Sequence, residues 1–149
     1  MSIDYQLFFE TDEAAQSTLD LISSVNGVET GAGLRIAGLV GTSMDELDAY
    51  SRAIMLDDFG EYGLNVNWAI RGTQDETMDA DNLLERLLTC AARIIHARPN
   101  HALSVMRDGE SFYLFHDSSR TVISPVYSQA IPLIKSLFKD AWELKEMVY

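Results

Sequence analysis

Residues 79–99, DADNLLERLLTCAARIIHARP, decide the fold because their apolar side chains recur at the period of an α-helix. At about 100° per residue, one arc of this helix is apolar and consists of Leu83, Leu84, Leu87, Leu88, Ala91, Ile94 and Ile95. Asp79 and Asp81 stand at the positive end of the helix dipole, and Pro99 ends the helical geometry. The stretch therefore predicts a helix over residues 80–97 that buries one face in the core.

Upstream of this helix, the sequence predicts strands and helices in alternation. IDYQLFF at residues 3–9 is typical of a strand, and Thr11 or Asp12 is expected to cap a helix that ends at Gly27. A second strand is expected over residues 34–40. Ser43 and Glu46 have the spacing of a capping box and predict a helix from residue 43 with an apolar stripe of Leu47, Tyr50 and Ile54. Residues 63–72 alternate as a half-buried strand, with Leu64, Val66, Trp68 and Ile70 on one face.

Downstream of Pro99, the dipeptide Asp108-Gly109 between two apolar runs predicts a hairpin of residues 102–107 and 110–116. A further strand is expected to end at Pro125. Ser128 is expected to cap a final helix that tolerates Pro132 in its first turn. The apolar side of that helix is expected to consist of Ile134, Leu137, Phe138, Ala141, Leu144 and Val148.

The order of these segments favours an α+β fold. Strands separated by helices that finish in an antiparallel meander predict a two-layer sandwich, in which three or four helices pack on a mainly antiparallel sheet of about five strands. With 149 residues, of which 47% are hydrophobic, we expect one core and therefore a single domain, 1–149.

Composition indicates a cytoplasmic protein without membrane association. A secretory signal begins with basic residues, whereas the first 25 residues here contain no lysine or arginine. No apolar run approaches the length of a membrane span. Cys90 is the one cysteine of the sequence, so an internal disulfide is excluded. Its place at the edge of the apolar arc favours a small buried hydrophobe over a reactive thiol.

The sequence contains no recognisable catalytic or metal-binding motif. His96 and His101 are five residues apart across a proline, and neither HExxH nor GxSxG is present. The glycine-rich segment 27–41 is not a phosphate-binding loop, because such a loop ends in a lysine and the first lysine of the sequence is Lys135. We therefore expect no catalytic residues, no cofactor and no metal site.

Charge is distributed unevenly along the chain. The net charge is −12, but residues 1–85 hold 17 carboxylates against three arginines, a balance of −14, whereas residues 86–149 have a balance of +2. Such a field repels nucleic acid and anionic membranes and accelerates encounter with a basic protein. The alternative is that the acidity serves solubility alone.

Two acidic groups are the candidate partner-binding residues. One lies in the expected turn before the Trp68 strand, and the other in a linker and the start of the long helix. Because few lysines or arginines are near them in sequence, we expect both groups to be exposed and unpaired. The candidate residues are Asp57, Asp58 and Glu61 in the first group, and Asp75, Glu76, Asp79 and Asp81 in the second.

The order of four segments resembles the small immunity proteins of Sit-type swarm-inhibition toxin systems. These are IDYQLFF at 3–9, FGEYGLNVNWAIRG at 59–72, the leucine-rich helix, and SVMRDGESFYLF at 104–115. Residues 122–132, VISPVYSQAIP, depart from the pattern because they contain no tryptophan. The resemblance implies a non-enzymatic protein that binds a co-encoded toxin, and it assigns no catalytic residues.

These observations leave three functional hypotheses, and the sequence does not fix the oligomeric state. The first is an immunity protein whose acidic part docks on a basic toxin. The second is a small-molecule enzyme or ligand-binding domain with a pocket between sheet and helices. The third is a phage or plasmid anti-defence inhibitor that uses the same acidic surface.

Overall fold

The computed structural model describes residues 2–118, 120–125, 131–138 and 142–147 of the chain. The helices in these residues are α1 (Ala15–Ile22), α2 (Ala49–Asp57), α3 (Ala80–Ala97) and α4 (Ile131–Phe138), with a 3₁₀ turn at Gly60–Tyr62. The strands are β1 (Asp4–Phe9), β2 (Val28–Glu29), β3 (Arg35–Ile36), β4 (Leu39–Glu46), β5 (Trp68–Gln74), β6 (Leu103–Arg107), β7 (Ser111–His116), β8 (Thr121–Ile123) and β9 (Glu143–Leu144).

Seven strands form one sheet in the order β4-β5-β1-β6-β7-β8-β9. Its neighbours within the described residues pair antiparallel, except that β8 and β9 run parallel. β2 and β3 form a separate two-stranded sheet. The α+β class and the mainly antiparallel sheet are confirmed, and the sheet has more strands than the five expected.

The long helix forms where its sequence pattern predicts it. Asp79 is the N-cap of α3, and its side chain accepts a hydrogen bond from the Asp81 backbone N–H at 2.9 Å. The apolar arc is buried, apart from Leu84, which is half-buried against the same core. Cys90 is also buried in this core, as expected for a small hydrophobe. Burial contributes roughly 1.5 to 3 kcal/mol for each large aliphatic side chain of the arc.

The sheet carries an apolar cluster on each of its two faces. Along β1, Leu7 and Phe9 face the cluster that contains α1, α3 and α4, while Phe8 between them faces a second cluster. The second cluster includes Met55 of α2 and Tyr62 of the 3₁₀ turn. The fold therefore has three layers instead of the two expected. The additional layer consists of α2 and the residues after it, which cover the second face of the sheet.

The strand predicted over residues 63–72 begins later than expected and divides its apolar residues between the two faces. Trp68 and Ile70 contact the α3 cluster, but Leu64 and Val66 belong to the second cluster. The alternation is interrupted before Trp68, where the side chain of Asn67 is bonded to the main chain of Thr11. This side chain accepts the Thr11 N–H at 2.9 Å and donates to the Thr11 carbonyl at 2.7 Å.

The helix predicted from Ser43 is wrong in its start. Residues Ser43–Glu46 belong to β4 and pair with Arg71–Trp68 of β5, so the sheet ladder outweighs the local capping-box pattern. The expected strand over residues 34–40 is divided between β3 and β4, with Gly38 at a φ of +100° in the turn between them. The cap of α2 is Asp48, which accepts the Ser51 N–H at 2.7 Å.

Two other expected caps also differ from the structure. α1 begins at Ala15 and its N-cap residue is Ala14, whereas the Thr11 hydroxyl accepts the Glu13 N–H before the helix starts. The final helix does not continue through residue 144, because Glu143–Leu144 form β9 beside Val122 and Ile123 of β8. Ser128, Ala141 and Val148 lie outside the described residues.

The predicted hairpin is confirmed. Asp108 and Gly109 have φ values of +54° and +66°, and the Glu110 N–H donates to the Arg107 carbonyl at 3.1 Å. Positive φ at both central residues is the geometry of a type I′ turn, for which Asp-Gly is a favoured sequence.

A buried arginine joins the end of α3 to α1. Arg98 is 7% exposed and donates to the Thr18 hydroxyl at 2.8 Å and to the Glu13 carboxylate at 2.9 Å. Since Arg98 follows the last turn of α3 and Thr18 lies in the middle of α1, these bonds fix the two helices relative to each other.

The core assignment predicts a large difference between two leucine truncations. Leu87→Ala in α3 removes a side chain that is 2% exposed, so it should lower the free energy of unfolding by about 2 to 5 kcal/mol. Leu56→Ala in α2 removes one that is 49% exposed, so its effect should be within about 0.5 kcal/mol. Urea unfolding followed by circular dichroism measures both, and equal effects would contradict the assignment.

Candidate protein-binding surface

One side of α2 presents apolar side chains to solvent. Tyr50 is 76% exposed and Leu56 is 49% exposed, which makes them two of the large hydrophobic residues that the described structure leaves outside its core. Ala49 and Ala53 are exposed on the same helix, at the spacing that places neighbours along one side. We call these four residues the α2 surface.

α2 is held to the rest of the protein by few contacts. Of its nine residues, Met55 is the buried one, and it packs in the second cluster near Leu47 and Phe59. The Met55 carbonyl also accepts the Leu64 N–H at 2.9 Å. Hydrogen bonds from Ser51 lower the pKa of the Asp48 cap, so the cap stays ionised to low pH. The helix is therefore ordered at its start and anchored by Met55, with half-buried Ile54 packed against the same cluster.

Carboxylates surround the α2 surface at both ends of the helix. Asp45 and Glu46 are exposed at the end of β4, just before the Asp48 cap. Asp57 and Asp58 are exposed at the C-terminal end of α2, where no basic residue lies in the last turn. Negative charge at this end of a helix is unfavourable, because it faces the negative end of the helix dipole. These two carboxylates are thus placed where local structure opposes them.

Glu61 differs from Asp57 and Asp58 in having a cationic neighbour. The Arg120 guanidinium lies 3.5 Å from the Glu61 carboxylate and 3.7 Å from that of Glu143. The same guanidinium lies over the rings of Tyr62 and Phe115, at 5.7 and 5.2 Å from their centres. The expectation that this acidic group is unpaired is therefore wrong for Glu61, because the fold brings Arg120 of the distant hairpin region beside it.

The second acidic group has structural tasks. Asp75 is half-buried and accepts the Thr77 N–H at 3.0 Å and the Thr77 hydroxyl at 2.7 Å, which lower the pKa of its carboxyl. Asp79 caps α3. Glu76 and Asp81 are exposed. The expectation of full exposure therefore does not hold for Asp75, and two members of this group stabilise the turn and the helix start.

The structure does not bring the two acidic groups together. Asp57, Asp58 and Glu61 precede the segment that enters β5, whereas Asp75 and Asp79 follow its end. Seven strand residues span about 20 Å. Both groups lie beside exposed apolar side chains, the first beside Tyr50 and Leu56 of the α2 surface and the second beside Met78 and Val40.

Sequence reasoning missed Tyr50 and Leu56 as site residues. Tyr50 was expected in a buried stripe with Leu47 and Ile54, but the later start of α2 turns it to solvent. Asp48 was the signal for the correct helix start, because aspartate is a favoured N-cap. Its side chain accepts the N–H of Ser51, three residues later, as an N-cap side chain does. With the helix started there, Met55 becomes its buried residue.

The described residues form several clefts, of which one of about 180 Å³ lies between α2 and the sheet and is lined by Met55, Phe8 and Met106. Two others have charged side chains in their linings. One has a volume of about 620 Å³ between the β2–β3 sheet, β4 and the turn at residues 75–78, with Glu29, Arg35 and Asp75 in its lining. A smaller cleft of about 200 Å³ is lined by polar residues that include Glu10, Arg52 and His101.

The buried titratable side chains have structural surroundings. Burial raises the pKa of the Cys90 thiol to about 12, so it is not a thiolate nucleophile at neutral pH. His116 lies 2.8 Å from the Thr121 hydroxyl and 2.9 Å from the Pro99 carbonyl, and burial lowers the pKa of its imidazole. A neutral ring that donates from Nε2 and accepts at Nδ1 satisfies both contacts.

The described residues contain no group of three or more histidine, cysteine, aspartate or glutamate side chains placed to hold a metal ion. The helices in the same part of the chain are too short or too polar to cross a membrane. Comparison of the chain with protein-family models, curated proteins and solved structures found no match.

The contrast between the acidic groups predicts opposite effects on stability. Replacing Asp57 and Asp58 by Asn should leave the free energy of unfolding unchanged or raise it by about 0.3 to 1 kcal/mol, because the helix end loses repulsion. Asp79→Ala should lower it by about 1 kcal/mol through loss of the α3 cap. Thermal unfolding at low salt measures both changes, and effects of the same sign would contradict these roles.

His116 predicts a pH dependence. Because its pKa is lower in the folded than in the unfolded state, its contribution is present above the unfolded pKa of about 6.5 and is lost as pH falls toward the folded pKa. The unfolding free energy should therefore decrease below about pH 6.5. In His116→Gln this part of the decrease should disappear. Urea titrations at a series of pH values test it, with His96→Gln as the exposed control.

Proposed function

We propose that this protein is a non-enzymatic binding protein that docks on a basic protein through its α2 surface and the carboxylates around it. The observation that carries the proposal is the exposure of Tyr50 and Leu56 beside Asp57 and Asp58, on a helix with one buried anchor.

Exposed aromatic and aliphatic side chains in a polar rim have the composition of a protein interface. Tyrosine is enriched among residues that dominate binding energy, and the surrounding polar contacts exclude water from it. Tyr50 and Leu56 supply the apolar centre here, and Asp48, Asp57 and Asp58 supply the rim. Their removal from water on binding would be the main source of affinity.

Electrostatics supports a basic partner. Asp57 and Asp58 oppose the helix dipole, so folding alone gives no reason for carboxylates at these positions. No ion pair in the described residues involves either of them. A basic partner would relieve their repulsion and would be attracted over long range at low ionic strength.

The finer proposal is an immunity protein that neutralises a co-encoded toxin. A toxin that acts on nucleic acid must carry basic residues to hold phosphate, and an acidic surface competes for the same residues. The resemblance to Sit-type immunity proteins favours the same assignment. A phage or plasmid inhibitor would use an identical surface, and the neighbouring genes distinguish the two settings.

A second candidate function rests on the cleft of about 620 Å³ beside β4. Its volume suits a small ligand, and its lining combines apolar side chains with Glu29, Arg35 and Asp75. A ligand-binding domain would use this cleft and leave the α2 surface without a task. Thermal-shift screening of a metabolite set, with Arg35→Gln as a control, tests this candidate.

The deciding experiment is capture of partners from the native host. Tagged wild type, the Tyr50→Ser/Leu56→Ser double variant and an Arg107→Gln/Lys145→Gln control are used as baits, and retained proteins are quantified by mass spectrometry. We expect a basic protein that wild type and control retain equally and that the double variant retains at least about tenfold less, as loss of 1.4 kcal/mol implies.

The role of charge is measured on the same partner. Replacing Asp57, Asp58 and Glu61 by Asn and Gln should slow association and flatten its dependence on salt, since fewer charges steer the encounter. A partner that binds the double variant and the acidic triple variant with wild-type affinity at low salt would place the interface elsewhere and contradict the proposal.

A further inference from the structure

β4 is an edge strand of the seven-stranded sheet, with β5 as its one neighbour among the described strands. A bulge interrupts its pairing between Val40 and Ser43, and Gly41 in the bulge has a φ of +62°. From Ser43 to Glu46 the register with β5 is regular. This four-residue segment is therefore an extended strand with one side open.

The hydrogen-bonding alternation of the pair identifies which groups point outward. The Gln74 N–H donates to the Ile3 carbonyl at 2.7 Å, in register with the pairs of Leu7 with Ile70 and of Phe9 with Trp68, so Trp68 and Ile70 direct their main-chain bonds to β1 and not to β4. Hydrogen-bonded and non-hydrogen-bonded pairs alternate along antiparallel strands. The main-chain N–H and C=O of Glu46 and Met44, opposite Trp68 and Ile70, consequently face away from the sheet.

We infer that the outer edge of β4 at Ser43–Glu46 accepts an extended, basic segment of the partner protein as an additional strand. The inference deepens the proposed function and rests on it, because the basic charge of the partner comes from there. The outward groups of Met44 and Glu46 would supply main-chain hydrogen bonds, the source of affinity in strand addition.

Charge selects the occupant of this edge. Asp45, Glu46 and the Asp48 cap lie at the end of β4, and Asp45 and Glu46 are exposed. A second copy of the chain would bring two such groups together at the same edge, at a cost in repulsion. Edge charges are a device that prevents self-pairing of strands, and they do not oppose a basic strand. The bulge lies before Ser43 and leaves the segment Ser43–Glu46 regular.

The cleft beside the first half of β4 continues the same edge. Leu39, Val40 and Thr42 line it, together with Met78 and Asp75. A lysine or arginine of the added segment finds apolar side chains for its methylene stem, and the carboxylates of Asp75 and Glu29 exceed the one cation of the lining, Arg35. The cleft thus suits a long basic side chain that follows the added strand.

The test separates main-chain pairing from charge at a single residue. Proline at an outward-facing position of an edge strand removes one N–H without breaking the ladder to β5. Glu46→Pro loses both the outward N–H and the carboxylate, whereas Glu46→Gln loses the carboxylate alone. The probe is a capped peptide of alternating lysine and valine, and its counterpart of alternating glutamate and valine is the charge control.

Binding is followed by NMR titration and by amide hydrogen exchange in the full chain. We expect the lysine–valine peptide to slow exchange at Met44 and Glu46 in wild type, and the glutamate–valine peptide to have no effect. Glu46→Pro should bind the peptide at least about tenfold more weakly than Glu46→Gln. Because exchange is measured in wild type, the test does not depend on the folding of the proline variant.

Three outcomes would overturn the inference: unchanged exchange at Met44 and Glu46, equal affinity of the two Glu46 variants, or dimerisation through β4 in light scattering. The Tyr50→Ser/Leu56→Ser variant distinguishes this failure from failure of the proposed function. If that variant loses the native partner while exchange at β4 is unchanged, the proposed function is supported and the strand addition is contradicted. If exchange at β4 slows while the variant retains every partner, the strand addition is supported and the role of the α2 surface is contradicted.

Discussion

The rest of the structure depends on burial of one helical face against one sheet. The apolar arc of α3 covers the side of the sheet formed by Leu7, Phe9 and Ile70, and α1 and α4 complete the same cluster. Arg98 then ties the end of α3 to α1 through Thr18 and Glu13. The opposite face of the sheet is covered by α2 and the 3₁₀ turn, through residues such as Met55 and Tyr62.

Local patterns predicted the parts of the fold that local physics determines. α3 has both its period and its cap in the sequence, and the Asp108-Gly109 hairpin has its turn chemistry. The errors occur where a distant strand decides the conformation. Ser43–Glu46 extends because β5 offers a ladder, and Glu143–Leu144 extends beside β8. Val66 leaves the face of Trp68 because Asn67 is bonded to Thr11, 56 positions away in the chain.

The candidate site was predictable in its charge and not in its shape. Asp57, Asp58, Glu76, Asp79 and Asp81 are exposed as expected, since charged side chains avoid the core. Which of them serve the fold is visible only from their neighbours, because Asp79 caps a helix while Asp57 opposes one. The exposure of Tyr50 follows from a helix that begins at Ala49, six residues after the start at residue 43 that the sequence predicts.

The exposure of α2 affects how this protein can change over generations. Six of its nine residues are exposed, so substitutions among them cost about 0.5 kcal/mol or less. A chain under selection to follow a changing partner can therefore alter the α2 surface while the α3 face stays constant. We expect related chains to diverge fastest along this helix and slowest along the arc from Leu83 to Ile95.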